Sequence, residues 1–190
     1  MVKKILGFEN TGKGTYLFGL EESYGCLIGT YARDKDAVSA TVALCEAAAY
    51  YATQGKTLWD VMIDMYEKYG YYLDRITAMD FPGLEGMDTM KKMLSDFREN
   101  PPKEIAGFKV EKVRDYGNDT ILDVATGDVS PIGLPKSDVL YYELEGGSWL
   151  CVRPSGTEPK IKFYYGVRAD SIEAAQADSD KLDAWAKAQA

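Results

Sequence analysis

The sequence predicts an α+β protein whose second half is an antiparallel sheet with helices packed on one face. From residue 71 onward, the pattern gives a strand, a helix, several further strands and a final helix. This order is typical of an antiparallel sheet covered on one side. Before it, a short apolar strand leads into two segments with helical periodicity. We therefore expect a first unit over residues 1–70 and a second over residues 71–190.

The first unit begins with a segment that is rich in glycine and lysine. We expect residues 1–14 to be mobile, as chain termini often are. Residues 15–20 form a short apolar strand that leads into an acidic loop. Two helices follow over residues 36–54 and 58–69, because apolar residues recur there at a spacing of three or four. Asp36 and Thr57 are the predicted N-caps of these helices.

The second unit contains strands and helices separated by clear turn signals. Residues 87–100 have an apolar helical stripe that ends at a Pro-Pro pair. Residues 108–116 alternate like a half-buried strand with an irregularity, and residues 117–137 are turn-rich, which indicates a long loop or an irregular hairpin. The other predicted elements are strands at 71–81, 139–144, 148–152 and 160–168, and a helix capped by Ser171.

Composition excludes several functional classes. The chain has 190 residues, 46% of them hydrophobic, and a net charge of −8. These values predict a globular protein without a general nucleic-acid surface. No apolar run has the length of a membrane span, and three cysteines without metal-ligand spacing predict reduced, mostly buried thiols in a cytoplasmic protein. The chain contains no histidine, which excludes catalysis by an imidazole and metal binding by an imidazole.

One loop concentrates the groups that bind phosphate. Arg153, Ser155, Gly156 and Thr157 lie within five residues, between two strand-like runs. A guanidinium matches phosphate oxygens, hydroxyls add neutral donors, and glycine lets backbone N–H groups approach an anion. The alternative is an ordinary Pro/Gly turn that carries a surface arginine.

A second loop combines a carboxylate with a hydroxyl. Glu21 and Ser23 are two residues apart, so in an extended segment both project to the same side and could bind adjacent sugar hydroxyls. The alternative is a helix N-cap or a solvated acidic turn.

Both loops resemble motifs of the α-D-phosphohexomutases, the phosphoglucomutase and phosphomannomutase family. The sequence RPSGTEP at 153–159 resembles the family's phosphate-binding loop, and GLEESYG at 19–25 resembles its sugar-binding loop. The sequence RDKD at 33–36 follows at a similar spacing. The two loops occur in the family's order, about 130 residues apart.

The resemblance covers nearly the whole chain and implies a domain assignment. Residues 1–70 resemble only the C-terminal part of the family's third domain, an α/β sandwich. Residues 71–190 resemble its last domain, which has a fold like that of the TATA-binding protein. The chain as a whole is then the C-terminal portion of such an enzyme.

The resemblance also implies a function. Such mutases interconvert hexose 1-phosphate and hexose 6-phosphate through a phosphoserine, a Mg²⁺ ion and a bisphosphate intermediate. Glu21 and Ser23 would hold sugar hydroxyls, with Lys35 near the sugar or phosphate. The phosphate that is not transferred would be held by Arg153, Ser155, Gly156 and Thr157, with Lys162 nearby.

The sequence departs from the family in its chemical groups. The family's phosphoserine loop contains a histidine, which this chain lacks, and no Asp-x-Asp-x-Asp metal loop occurs. We therefore expect no catalytic residue and no metal ligand here, and no activity from the chain alone. The Glu-Glu-Ser loop is closer to phosphoglucomutases, but glucose or mannose preference stays open.

Three functions remain open at this point: part of a phosphohexomutase, a non-catalytic phosphosugar- or anion-binding module, and a structural domain. The expected partners are a hexose phosphate and the N-terminal domains of the same protein, without nucleic acid or membrane. An incomplete first unit would leave a strand edge and apolar helix stripes uncovered. We expect it either to form a homodimer through this region or to be loosely ordered.

Overall fold

The structure, a computed structural model, describes residues 2–21, 25–83, 85–156 and 158–189. The chain divides into two compact units, Met1–Met65 and Tyr66–Ala190. No helix within these described ranges is both long enough and apolar enough to span a membrane.

The first unit is mostly helical, with a small sheet. Its two strands pair antiparallel, with Phe18 opposite Ile28. Leu27 in the second of these strands is fully buried. The elements, in order, are α1 (Val2–Thr11), β1 (Phe18–Leu20), β2 (Cys26–Ile28), α2 (Ala37–Ala52) and α3 (Leu58–Tyr69). The last of these helices continues into the second unit.

Residues 2–11 are helical, so the expectation of a mobile terminus is wrong for this part of residues 1–14. Ile5 in α1 is fully buried, and this burial favours an ordered segment over a mobile one. The Gly12 N–H donates to the Phe8 carbonyl at 2.9 Å, and Gly12 has a φ of 64°, which ends the helix.

The predicted helix caps are confirmed. The Asp36 carboxylate accepts hydrogen bonds from the backbone N–H groups of Val38 at 3.0 Å and Ser39 at 3.4 Å. The Thr57 hydroxyl accepts from the Asp60 N–H at 3.2 Å, while the Asp60 carboxylate accepts from the Thr57 N–H at 2.8 Å. These reciprocal bonds satisfy N–H groups that have no partner inside the helix.

Both long helices of the first unit leave apolar side chains in contact with solvent. Helices α2 and α3 contain no buried residue. Val38 is 74% exposed and Leu44 60%, both on α2, and Trp59 on α3 is 60% exposed. Apolar side chains of this size normally gain stability from burial, so these two helices carry apolar surface that the described part of the chain leaves uncovered.

The second unit consists of one antiparallel sheet and two helices that pack against it, as predicted. The strand order is β3-β10-β9-β8-β5-β6-β7, and β4 pairs with β5 at the side. The elements are β3 (Tyr71–Asp80), α4 (Gly86–Glu99), β4 (Glu104–Ile105), β5 (Phe108–Asp115), β6 (Thr120–Asp123), β7 (Val129–Pro131), β8 (Leu140–Leu144), β9 (Trp149–Pro154), β10 (Lys160–Ala169) and α5 (Ile172–Lys187).

Two sequence predictions about irregular segments are confirmed. The pairing of β5 with β8 shifts register between Val110 and Lys112, which is the predicted irregularity. Within residues 117–137, strands β6 and β7 pair with Leu122 opposite Val129, so the segment is a short hairpin rather than a loop without pairing.

The core lies between the sheet and its two helices. Ile161, Phe163 and Tyr165 alternate along β10 and are fully buried on this side. Trp185 of α5 packs against Phe163 with a ring separation of 6.4 Å. The helices add Met90 and Leu94 from α4, and Ala175, Leu182 and Ala186 from α5.

Cysteine burial differs from the prediction. All three thiols are free, but Cys45 on α2 is exposed, and Cys26 and Cys151 are only half-buried. The expectation of mostly buried thiols is therefore wrong.

A polar cluster fixes α5 on the sheet. The buried Thr77 hydroxyl of β3 donates to the Asp183 carboxylate at 2.6 Å and lies 3.0 Å from the Tyr165 hydroxyl. Tyr165 also donates to Asp183, at 3.2 Å. Lys187 completes the cluster with an ion pair of 2.7 Å to Asp183. Together with the Thr77 hydrogen bond, this ion pair lowers the pKa of Asp183.

We predict that Thr77→Val destabilises the protein by about 1–3 kcal/mol, because it removes a buried hydroxyl that donates a hydrogen bond to the charged Asp183 carboxylate. Urea unfolding of the wild type and the variant measures this difference. Thr120→Val on β6 is the matched control, since its hydroxyl makes no side-chain hydrogen bond within the described residues. Equal losses in the two variants would contradict the assigned role.

Candidate functional site

The predicted phosphate loop joins two paired strands of the second unit. Strands β9 and β10 stay hydrogen-bonded as far as residues Pro154 and Ile161, which are opposite each other. The Ser155 N–H then donates to the Lys160 carbonyl at 2.7 Å. The loop is therefore short and is held at both ends by the sheet.

Two cations face each other across this hairpin. Arg153 of β9 is directly opposite Lys162 of β10. Both side chains are exposed, because they alternate with the buried Val152, Ile161 and Phe163. Like charges at directly opposite positions destabilise a sheet. An anion bound between them would remove this repulsion.

These side chains line a pocket with a volume of about 270 Å³. Its lining includes three cations and one carboxylate, so its charge favours an anion. The lining residues are Arg153, Pro154, Ser155, Gly156, Glu158, Lys160, Lys162 and Tyr164.

The three cations differ in their partners. Lys160 forms an ion pair of 3.1 Å with Asp80 of β3. Within the described ranges, Arg153 and Lys162 form no ion pair with an acidic side chain. The positive charge that is left for a ligand therefore comes mainly from these two residues.

Two loop residues contribute differently from what the sequence suggests. The Ser155 hydroxyl accepts a hydrogen bond from the Glu158 N–H at 3.3 Å, which stabilises the turn. Gly156 has no left-handed φ, and an added Cβ would meet no heavy atom within 4 Å. Its expected role in a sharp turn is therefore not required by the backbone, although it leaves the surface open to a ligand.

Cys151 lies on the same face of β9 and is opposite Tyr164. Burial raises the pKa of this thiol to about 11, and the nearby Arg153 charge opposes that shift only in part. The thiol is therefore protonated at neutral pH and is a poor nucleophile.

The predicted sugar-binding residues lie in the first unit. The Lys35 ammonium forms ion pairs with Glu21 at 3.1 Å and with Asp34 at 2.9 Å. These hydrogen bonds, first that of Asp34 and then that of Glu21, raise the pKa of Lys35. A Cβ on Gly25 would lie 2.0 Å from the Lys35 side chain, so a larger residue at this position would displace Lys35.

The structure thus brings the predicted residues together in two separate groups. Glu21 and Lys35 meet in the first unit, while Arg153, Ser155, Gly156 and Lys162 meet in the second. Ser23 and Thr157 lie outside the residues that the structure describes.

Sequence reasoning did not single out Glu158, Lys160 or Tyr164 as pocket residues. The signal for two of them was present. In a strand, every second residue shares a face, so Lys160 and Tyr164 had to accompany Lys162.

No group of three or more acidic or cysteine side chains in the described part of the chain is placed to hold a metal ion.

Two family models match the chain. Residues 6–69 match the phosphoglucomutase/phosphomannomutase alpha/beta/alpha domain III, and residues 98–182 match the C-terminal domain of the same family. The order of the two matches agrees with the order of the two units.

Two curated relatives and one solved structure agree with this result. A phosphoglucomutase of Staphylococcus aureus is 36% identical over 157 residues, which are 83% of this chain and 28% of the relative. One from Staphylococcus epidermidis is 34% identical over 158 residues, 83% of this chain and 29% of the relative. The chain therefore spans less than a third of the length of these relatives.

The solved structure is that of the exocytosis-sensitive phosphoprotein pp63/parafusin, a phosphoglucomutase from Paramecium, in its open form. It has a TM-score of 0.60 and 19% sequence identity, and the match covers 95% of this chain and 31% of that one. At this identity, the likeness describes the fold alone.

Proposed function

Because the chain belongs to the phosphoglucomutase/phosphomannomutase family and corresponds to its C-terminal portion, we propose that it supplies the sugar and phosphate contacts of a phosphohexomutase. The full-length enzyme would interconvert hexose 1-phosphate and hexose 6-phosphate through a phosphoserine and a bisphosphate intermediate. The relatives' names and the Glu-Glu-Ser loop favour glucose over mannose phosphates.

The observation that carries the proposal is the pair of uncompensated cations in the pocket of the second unit. Arg153 and Lys162 lie opposite each other, beside the Ser155–Gly156 turn. A guanidinium and an ammonium that converge from two strands suit the oxygens of a phosphate. We propose that these residues, together with Thr157, hold the phosphate that is not transferred.

Holding the non-reacting end has a catalytic purpose. If this phosphate is anchored, the hydroxyl at the other end of the sugar is confined near the phosphoserine. The entropic cost of bringing the reacting groups together is then offset by binding energy from the remote phosphate.

The first unit supplies the sugar contacts in this proposal. We propose that residues 1–70 are the C-terminal part of the family's third domain, and that residues 71–190 are its fourth. Lys35 holds the Glu21 carboxylate at 3.1 Å and thereby orients it. An oriented carboxylate accepts hydrogen bonds from sugar hydroxyls, and Ser23 adds a hydroxyl two residues away.

The chemical groups of the reaction lie elsewhere in the proposed full-length enzyme. Mg²⁺ would assist phosphoryl transfer there, and neither its ligands nor the phosphoserine are assigned to this chain. The expected partners are the hexose phosphate and the N-terminal domains of the same protein. The proposed location is the cytoplasm, where hexose phosphates and reduced thiols occur together.

We predict that Arg153→Ala weakens the binding of inorganic phosphate by about 1.5–3 kcal/mol, because it removes a charge-assisted hydrogen bond. Isothermal titration calorimetry of the wild type and the variant measures this loss. Arg168→Ala is the matched control, since Arg168 is an exposed arginine near the opposite end of β10. An unchanged affinity for Arg153→Ala would refute the phosphate assignment.

We predict that the 190-residue chain has no mutase activity by itself. A coupled assay with glucose 1-phosphate and Mg²⁺ should give no glucose 6-phosphate above background, because neither nucleophile nor metal ligand is assigned here. A full-length phosphoglucomutase serves as the positive control. Magnesium-dependent turnover by the purified chain would overturn the division of roles.

We also propose that the first unit of the isolated chain forms a homodimer through α2, or exchanges its amide hydrogens rapidly if it stays monomeric. Val38→Lys places a charge on the uncovered helix and should shift light scattering toward a monomer. Val129→Lys, an exposed valine of β7, is the control. A wild-type monomer whose first 65 residues are as well protected as the rest would contradict the proposal.

A further inference from the structure

Lys160 is the one cation of the phosphate pocket that has an acidic partner among the described residues. It lies on β10, two residues before Lys162, and both side chains line the pocket. In the pairing of β10 with β3, Lys160 is opposite Asp80, whereas Lys162 is opposite Ala78. The register of a single strand pair therefore decides which lysine is neutralised.

The ion pair is placed at the boundary of the pocket. Lys160 also lines a neighbouring cleft of about 250 Å³, together with Asp80, Pro82 and Glu158. The Asp80 carboxylate raises the pKa of Lys160 most, and Glu158 acts in the same direction. Asp80 thus draws the lysine toward the side away from the Arg153 pocket wall.

The strength of this hold is limited. The Asp80 side chain is 72% exposed, and Lys160 is 30% exposed. Solvent screens a pair of this kind, so the lysine can exchange one partner for another. A phosphate bound between Arg153 and Lys162 would compete with Asp80 for the Lys160 ammonium.

We propose that Asp80 is a positioning residue that keeps Lys160 from acting fully on a phosphate in this pocket. The inference rests on the proposed function, because it requires the pocket to bind phosphate. With Asp80 present, two uncompensated cations orient the phosphate. Without Asp80, three cations would hold the phosphate more tightly and slow its release. Because the phosphate must leave at the end of turnover, binding by fewer charges favours its release.

The test is calorimetric titration of the 190-residue chain with inorganic phosphate at physiological salt. Asp80→Asn should bind phosphate about two- to fivefold more tightly, as expected when a screened ion pair is removed. Lys160→Gln should bind phosphate no more tightly than the wild type, and the double variant Asp80→Asn/Lys160→Gln should match Lys160→Gln. If Asp80→Asn only damaged the local structure, phosphate binding would weaken. Tighter phosphate binding would therefore indicate that Asp80 positions Lys160 and is not merely needed for the fold.

Asp74→Asn is the control for net charge. Asp74 is on the same strand and face, but roughly 20 Å from Asp80, which exceeds the screening length of physiological salt. Its loss should leave phosphate affinity unchanged. If Asp80→Asn fails to fold, as judged by circular dichroism, Asp80→Ser takes its place with the same expectation.

The outcomes separate the inference from the proposed function. Equal affinities of wild type and Asp80→Asn, or a gain that persists in the double variant, would overturn the role of Asp80 alone. A wild type that does not bind phosphate, or binds it independently of Arg153, would overturn the proposed function and this inference with it.

Discussion

The candidate site depends on the side-chain alternation of strand β10. Ile161, Phe163 and Tyr165 are fully buried under α5, and each large side chain buried in this way contributes about 1.5–3 kcal/mol. Because neighbouring residues of a strand point to opposite faces, Lys160 and Lys162 must lie on the outer face of the sheet. The repulsion between Lys162 and Arg153, of the order of 1 kcal/mol or less for such pairs, is small beside that gain. The core therefore holds the cations together without a ligand.

The same strand arrangement fixes the positions of the residues that line the pocket. The hairpin bonds continue to Ser155, whose N–H reaches the Lys160 carbonyl at 2.7 Å. Behind the sheet, Thr77 and Tyr165 share the Asp183 carboxylate of α5. A network of this kind, fully satisfied and partly buried, fixes one packing of helix on sheet. The positions of the pocket cations Arg153 and Lys162 are thus set by paired strands and not by a free loop.

An interaction could be predicted from the sequence when its residues are close together along the chain. The caps at Asp36 and Thr57 involve residues two or three positions apart, so local chemistry revealed them. The pairing of Lys160 with Asp80 joins strands that are distant in sequence, and their register is set by the whole sheet. Helix α1 was missed because the burial of Ile5 depends on folded surroundings. Family resemblance pointed to the donors of the phosphate loop, but not to how their charges are balanced.

The pairing of β3 with β10 has a consequence for how the second unit forms. Tyr71 is opposite Ala169, and Asp80 is opposite Lys160, so the first strand of the unit closes against its last. Contacts between segments this far apart in sequence raise the contact order and slow folding. On the ribosome, the partner of β3 emerges only after most of the unit has been synthesised. Because its lining lies between Arg153 and Tyr164, the pocket beside β9 and β10 is likewise among the last features that the growing chain can complete.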